Sequence, residues 1–259
     1  MNAKNKIRAK KKFGQNFLTN EDIAKKIVNS INFQKYNRIL ELGPGTGMLS
    51  KYLITVCDPI LIEIDEEAVC YLKKHIPQIN NIILADFLKI DLKPFLKNTN
   101  AIIGNFPYNI STQILFKILN YKNNIQTVVG MFQKEVAERI CSKPKSKKYG
   151  IISVLIQAYY DAEILFNVKK ENFFPQPKVE SSIIKLTRNN VKQLSCDEEL
   201  FKILVKTSFN QRRKKLKNAL KTKIIDFEKI DLDLLNKRAE ELSVNDFITL
   251  TNLVYKNES

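Results

Sequence analysis

The 259-residue sequence predicts an α/β fold: a mostly parallel sheet with helices on both faces, followed by a small all-helical C-terminal region. Three observations carry that expectation. Short apolar runs alternate with amphipathic segments across residues 38–131, the rhythm of β-α-β units. The first of those runs ends in Glu41-Leu42-Gly43-Pro44-Gly45-Thr46-Gly47, which holds three of only 7 glycines in the chain. From Leu200 onward every periodic segment has helical spacing.

The elements follow in order. Phe13-Gly14-Gln15-Asn16-Phe17-Leu18 reads as a loop after a basic arm. Thr19 is placed to cap a helix that carries Glu21 and Asp22 in its first turn and Ile23, Ile27 and Val28 on one face. Residues 38–42 form a buried strand feeding the glycine turn. Strands are then expected at 59–64, 82–84, 101–104 and 125–131, with helices at 48–54, 66–75 and 111–119 between them. Residues 162–168 and 181–186 are strand-like and flank Phe173-Phe174-Pro175-Gln176-Pro177. The chain turns polar near residue 188, so two domains are expected, 1–190 (with 1–18 a basic arm) and 191–259.

Hydrophobic residues at 44% fit a folded protein, and the formal charge of +16 is the strongest compositional fact. A basic surface attracts polyanions, although a lysine-rich genome would raise the charge equally well. Clustering favours the first reading. Lys4, Lys6, Arg8, Lys10, Lys11 and Lys12 are uninterrupted by an acid; Lys143, Lys145, Lys147 and Lys148 form a second group; Arg212, Arg213, Lys214, Lys215 and Lys217 form a third. Four cysteines without CxxC spacing and a single histidine, His75, argue against a metal site and for reduced thiols. The N-terminal segment lacks the apolar stretch of a secretory signal and no run is long enough to span a bilayer, so a cytoplasmic protein is expected.

The glycine turn sits where nucleotide-binding sheets receive their ligand, because glycine permits positive φ and close backbone approach. Its GxGxG spacing is more typical of methyltransferases than the GxGxxG of dehydrogenases, which stay open at this point. Glu63 closes the second strand, where a carboxylate accepts two ribose hydroxyls, and Asp86 follows the third, where it would accept from an adenine amino group beside Phe87. Asn105-Phe106-Pro107-Tyr108 then follows the fourth strand and decides the chemistry. An adenine amine is a poor nucleophile because its lone pair is delocalised into the ring. The Asn105 side-chain oxygen and the Phe106 carbonyl would accept its two N–H groups and aim the lone pair at a sulfonium methyl. Pro107 fixes the backbone and Tyr108 offers a face for the base.

Together with Met131 to Ile140 and the run from Phe209 to Leu220, the motifs at Phe13–Leu18, Glu41–Gly45, Asn105–Thr112 and Phe173–Ser181 resemble the ribosomal RNA adenine N6,N6-dimethyltransferase family, in its small-subunit branch. The resemblance covers most of the chain. It implies a Rossmann-like class I methyltransferase sheet, S-adenosylmethionine as methyl donor, and dimethylation of two adjacent adenosines in the 3′-terminal hairpin loop of small-subunit ribosomal RNA during late subunit assembly. By motif position Asn16, Leu18, Gly43, Gly45, Glu63, Asp86 and Asn105 would line the cofactor site, while Tyr108 and Phe173 would sandwich an adenine drawn from its stack. Phe106 departs from the smaller aliphatic residue usual in the family, which leaves the shape of the target site open. Arg212, Arg213, Lys214, Lys215 and Lys217 are expected on one helix, positioning RNA phosphates. A monomer is expected. The competing readings are a resistance methyltransferase of large-subunit adenine, an assembly factor whose methylation is secondary, and a dehydrogenase.

Overall fold

The structure is a computed structural model that describes residues 7–97, 100–220 and 232–254. Lys4 and Lys6 of the expected basic arm lie outside the described residues, as do 221–231 and 255–259 of the expected C-terminal domain.

The chain forms two compact units, Met1–Ala137 with Glu163–Arg188, and Glu138–Ala162 with Asn189–Ser259. Glu138–Ala162 thus clusters with the second unit, although the sequence reading sets it within 1–190.

The first unit is built on a seven-stranded sheet. Its strands are β2 (Arg38–Leu42), β3 (Ile60–Glu63), β4 (Asn81–Leu84), β5 (Asn100–Asn105), β6 (Ile125–Gln133), β7 (Tyr160–Val168) and β9 (Ser181–Arg188). They lie in the order β4-β3-β2-β5-β6-β9-β7. The pairs from β4 through to β6 are parallel, and β9 is antiparallel to β6. The chain winds outward from β2 to β4 and then returns to β5, so the winding reverses between β2 and β5. That reversal opens a crevice at the carboxyl ends of those two strands.

Alternate residues divide the sheet into two apolar faces. Ile39, Ala101, Ile103, Val129, Met131 and Ile183 point to one face and are buried with Ala24, Ile27 and Val28 of α1 (Glu21–Val28). Asn20, rather than Thr19, caps that helix, because its side chain accepts from the N–H groups of Asp22 and Ile23. Thr19 instead donates both its hydroxyl and its N–H to the Asn172 carbonyl. Helices α2 (Ser50–Leu53), α3 (Glu66–His75) and α4 (Ser111–Asn120) connect β2 to β3, β3 to β4 and β5 to β6. Asp65 caps α3, accepting from the Glu67 N–H, with Glu66 and Glu67 in the favourable first turn.

One element was not legible as such. The expected loop at 13–18 ends in a short strand β1 (Phe17–Leu18), which pairs with β8 (Phe173–Phe174) in a two-stranded antiparallel ribbon.

Among the described residues, the named elements of the second unit are helical apart from the first residues of β7. It holds the end of α5 (Lys134–Cys141), then α6 (Ile151–Gln157), α7 (Glu198–Asn210), α8 (Leu216–Ala219), α9 (Leu232–Asn236) and α10 (Val244–Asn252). Its core includes Phe209 stacked on Phe247, ring centroids 6.0 Å apart, with Tyr149 edge-on to Phe209 at 6.1 Å. Ser243 and Asp246 form a reciprocal capping box at the start of α10.

Candidate active site

The crevice at the reversal point is a cavity of about 720 Å³ including its mouth, a size suited to a nucleoside-sized ligand. Gly43, Gly45, Glu63, Asp86, Asn105, Pro107 and Tyr108 all line it, so it gathers most of the residues singled out from sequence. Asn16 lines it from the N-terminal segment, beside Phe13, Gln15 and Phe17. Leu18 lies in a smaller adjoining recess with Glu41, Thr46 and Asn105.

The floor is made by the turn after β2. Gly43 and Gly45 hold φ of 63° and 56°, conformations that strain any residue with a Cβ. A Cβ on Gly45 would also stand 2.8 Å from the Phe17 ring. Glu63 is buried at the end of β3 and takes three backbone donors: Gly45 at 3.0 Å, Ile64 at 2.9 Å and Asp65 at 3.0 Å. Burial raises its pKa, while those three N–H groups oppose the shift. The carboxylate is therefore oriented before any ligand arrives. Asp86 is held more loosely; one oxygen accepts the Leu88 N–H at 2.9 Å, with Phe87 buried beside it.

Glu41 is the residue that sequence reasoning quoted in a motif but did not assign. It is 1% exposed, and its Oε2 has no hydrogen-bond partner among the described residues. Burial pushes its carboxyl up to about 8, opposed by the adjacent Ser50 hydroxyl and reinforced by the charge of Glu63. The signal was available: an acid inside an otherwise apolar strand is costly unless something needs it.

The wall is the Asn105-Phe106-Pro107-Tyr108 turn at the end of β5, and three side-chain contacts fix it. Asn105 Nδ2 donates to the Asn16 carbonyl at 2.8 Å, which leaves Oδ1 as the acceptor. The Tyr108 hydroxyl pairs with the buried Ser181 hydroxyl of β9 at 2.5 Å. The Phe106 ring is buried and meets Phe132 edge-on at 5.2 Å. It fits because Gly104 and Gly130, register partners on β5 and β6, lack side chains. A Cβ would approach the Phe106 ring to 2.8 Å from Gly104 and to 2.5 Å from Gly130. The larger residue is thus absorbed by the sheet. Neither Ser181 nor this glycine slot could be read from sequence, since both depend on strands 50 or more residues away or on register.

Two assignments need correction. Phe173 does not line the cavity; it is 4% exposed and packed in the core with Leu18, its register partner on β1. The five cations of the second unit do not share a helix either, because α7 ends at Asn210 and α8 starts only at Leu216. Arg212 is committed internally, to Glu240 at 2.5 Å and to the carbonyls of Ser146 and Lys147. Lys215 reaches Asn236 Oδ1 at 3.4 Å, while Arg213, Lys214 and Lys217 are exposed.

Over 96% of this chain, it is 50% identical to ribosomal RNA small subunit methyltransferase A of Cytophaga hutchinsonii, covering 98% of that protein. The counterpart from Flavobacterium johnsoniae is 49% identical, with 96% and 97% of the two chains covered. In fold the chain is similar to a dimethyladenosine transferase from Plasmodium falciparum (TM-score 0.78, 24% identity, 90% of this chain and 95% of that one). It is also similar in fold to the 23S rRNA methyltransferase ErmE (TM-score 0.68, 23% identity, 92% and 100%). The model of the ribosomal RNA adenine dimethylase family matches residues 6–256, and the chain belongs to that family.

Proposed function

We propose that this enzyme uses S-adenosylmethionine to dimethylate N6 of two adjacent adenosines in the 3′-terminal hairpin loop of small-subunit ribosomal RNA. It acts as a cytoplasmic monomer on the assembling small subunit. The observation that carries the reading is the Asn105 amide, pinned through Nδ2 so that Oδ1 and the Phe106 carbonyl remain as a pair of acceptors at the cavity wall.

The residues present suit the methyl donor. The glycine turn admits close backbone approach, Glu63 offers oriented oxygens for ribose hydroxyls, and Asp86 with Phe87 suits an adenine ring. Glu41, with its unpartnered buried oxygen, suits an ammonium group. When bound, S-adenosylmethionine supplies an electrophilic methyl on a sulfonium.

The protein's part is orientation. Two acceptors engage both N–H groups of an adenine amine and turn its lone pair out of conjugation. Proton loss then needs no strong base, because nitrogen becomes acidic as it is alkylated. A monomethylated amine keeps one N–H, so a second transfer proceeds with one acceptor still engaged. Tyr108, held by Ser181, provides the stacking face.

The small-subunit choice is supported by relatives at 46–50% identity that carry that name, whereas the large-subunit enzyme shares only the fold. Exposed Arg213, Lys214 and Lys217 are suited to phosphate contacts. Radiolabelled methyl donor incubated with unmethylated small and large subunits tests the reading. Label recovered as N6,N6-dimethyladenosine from the small subunit alone is expected. Label in the large subunit, or none with donor bound, would overturn it.

A further inference from the structure

Large side chains exposed near a catalytic cavity need a reason, and Phe174 is the most exposed aromatic among the described residues, at 63%. It neighbours Phe173, which is buried, and the antiparallel ribbon explains the contrast. Leu18 and Phe173 are register partners and both enter the core. Phe17 and Phe174 are the next partners and so project from the opposite side of the ribbon. Phe17 lines the cavity, with its ring against Gly45. Phe174 therefore stands on the cavity side, next to Phe17, yet it is not itself part of the cavity lining.

We infer that Phe174 is a stacking platform for a nucleobase of the substrate loop, one that neighbours the methylated adenine and stays outside the cavity. An exposed ring presents a flat face that any base will stack on, and stacking of this kind is a large, sequence-tolerant contribution to single-strand binding. The surroundings suit a polyanion. Lys169, Lys170 and Lys178 are exposed on the segments flanking Phe174, against two exposed acids, Glu171 and Glu180, the second of which is paired with Lys134 at 2.8 Å. Phe174 thus takes a role on the RNA side of the ribbon, while Tyr108 faces the reacting base from within the cavity. The inference rests on the proposed RNA substrate.

The test is steady-state methylation of unmethylated small subunits by wild type and by Phe174→Ala, Phe174→Leu and Phe174→Tyr. Loss of the ring in Phe174→Ala is expected to raise KM for the subunit by roughly 5- to 100-fold. The turnover rate, the affinity for methyl donor and the thermal midpoint should stay at wild-type values, because the side chain is exposed. Phe174→Tyr keeps a flat face and should restore KM; Phe174→Leu keeps only apolar bulk and should not. An unchanged KM in Phe174→Ala, or full restoration by leucine, would overturn the inference. Should wild type label only the large subunit, the proposed substrate falls, and the same KM comparison is then read on that subunit. An independent reading uses a hairpin-loop RNA with 2-aminopurine beside the target adenine. Its fluorescence should be quenched on binding wild type and not on binding Phe174→Ala; equal quenching would overturn the base contact.

Discussion

The turn after β2 and the turn after β5 lie side by side, since Leu42 and Gly104 are register partners, yet they are built from opposite materials. The first is a backbone construction, made of glycines at positive φ and an N–H that binds Glu63. The second is a side-chain construction, in which Asn105, Phe106 and Tyr108 are each anchored to a different strand or segment. The difference separates two tasks. A backbone cradle lets a ligand approach and holds it, whereas chemistry needs individual atoms aimed within tenths of an ångström. Substitutions in the two turns should therefore fail in different ways.

The largest effect is expected at Asn105. Replacing it with alanine removes one of two positioned acceptors and the tie to the Asn16 carbonyl. Turnover should fall by about 10²- to 10³-fold, in line with loss of one preorganised polar contact to a reacting group. Donor affinity, measured by calorimetry, should change far less. A large loss of donor affinity with turnover preserved would erase the division between the two turns.

Next comes the slot that holds Phe106. Gly130→Ala sets a methyl group 2.5 Å from the Phe106 ring, a clash that should cost about 1–3 kcal/mol in denaturant unfolding. Phe106→Leu removes one of the two rings that would clash, the Phe132 ring still lying 2.7 Å from the new methyl, so the double variant should recover part of that loss. Additive losses in the double variant would mean that ring and glycine are independent.

The cradle should reveal itself through pH. The Glu41 carboxyl titrates near 8 in the folded protein, far above the ordinary carboxylate range. Between those values the folded state binds a proton that the unfolded state has lost, so stability falls as pH rises, by at most about 1.4 kcal/mol per pH unit. Glu41→Gln should flatten that decline between pH 5 and 8 and be the more stable form at pH 8 without ligand. It should also bind methyl donor more weakly, because an ammonium loses its partner. Parallel pH profiles for the two proteins would remove Glu41 from the cradle.

How much of this was legible follows the same divide. The cradle announces itself in sequence because its parts are contiguous: Gly43 and Gly45 in a glycine-poor chain, then acids at the ends of successive strands. The mostly parallel sheet was legible in the β-α rhythm, whereas the strand order depends on pairing that the rhythm leaves open. The wall was legible only in its first layer, Asn105 to Tyr108; its supports come from Asn16, Gly130 and Ser181, whose proximity is set by pairing no local pattern encodes. The burial of Phe173 was illegible for a similar reason. Two adjacent phenylalanines on a strand must face opposite ways, and only the register with Leu18 says which one is buried. Arg212 looked like its basic neighbours until Glu240, 28 residues away, was found to hold it.

The smallest effect tests whether the wall's second layer works through its first. Ser181 touches the site only by way of the Tyr108 hydroxyl, at 2.5 Å, and burial raises the pKa of that phenol, so it stays protonated through the neutral range. A hydrogen bond between neutral groups contributes about 0.5–1.5 kcal/mol, which corresponds to a rate loss of roughly 2- to 12-fold if all of it serves orientation. Tyr108→Phe keeps the stacking face and loses only the bond; Ser181→Ala loses the same bond from the other end. If the bond acts by setting the ring plane, each single variant should slow turnover by that amount and the double variant should be no slower than either. Multiplied losses would mean that Ser181 supports the site through something other than Tyr108. The wall would then be a set of separate supports, each contributing on its own.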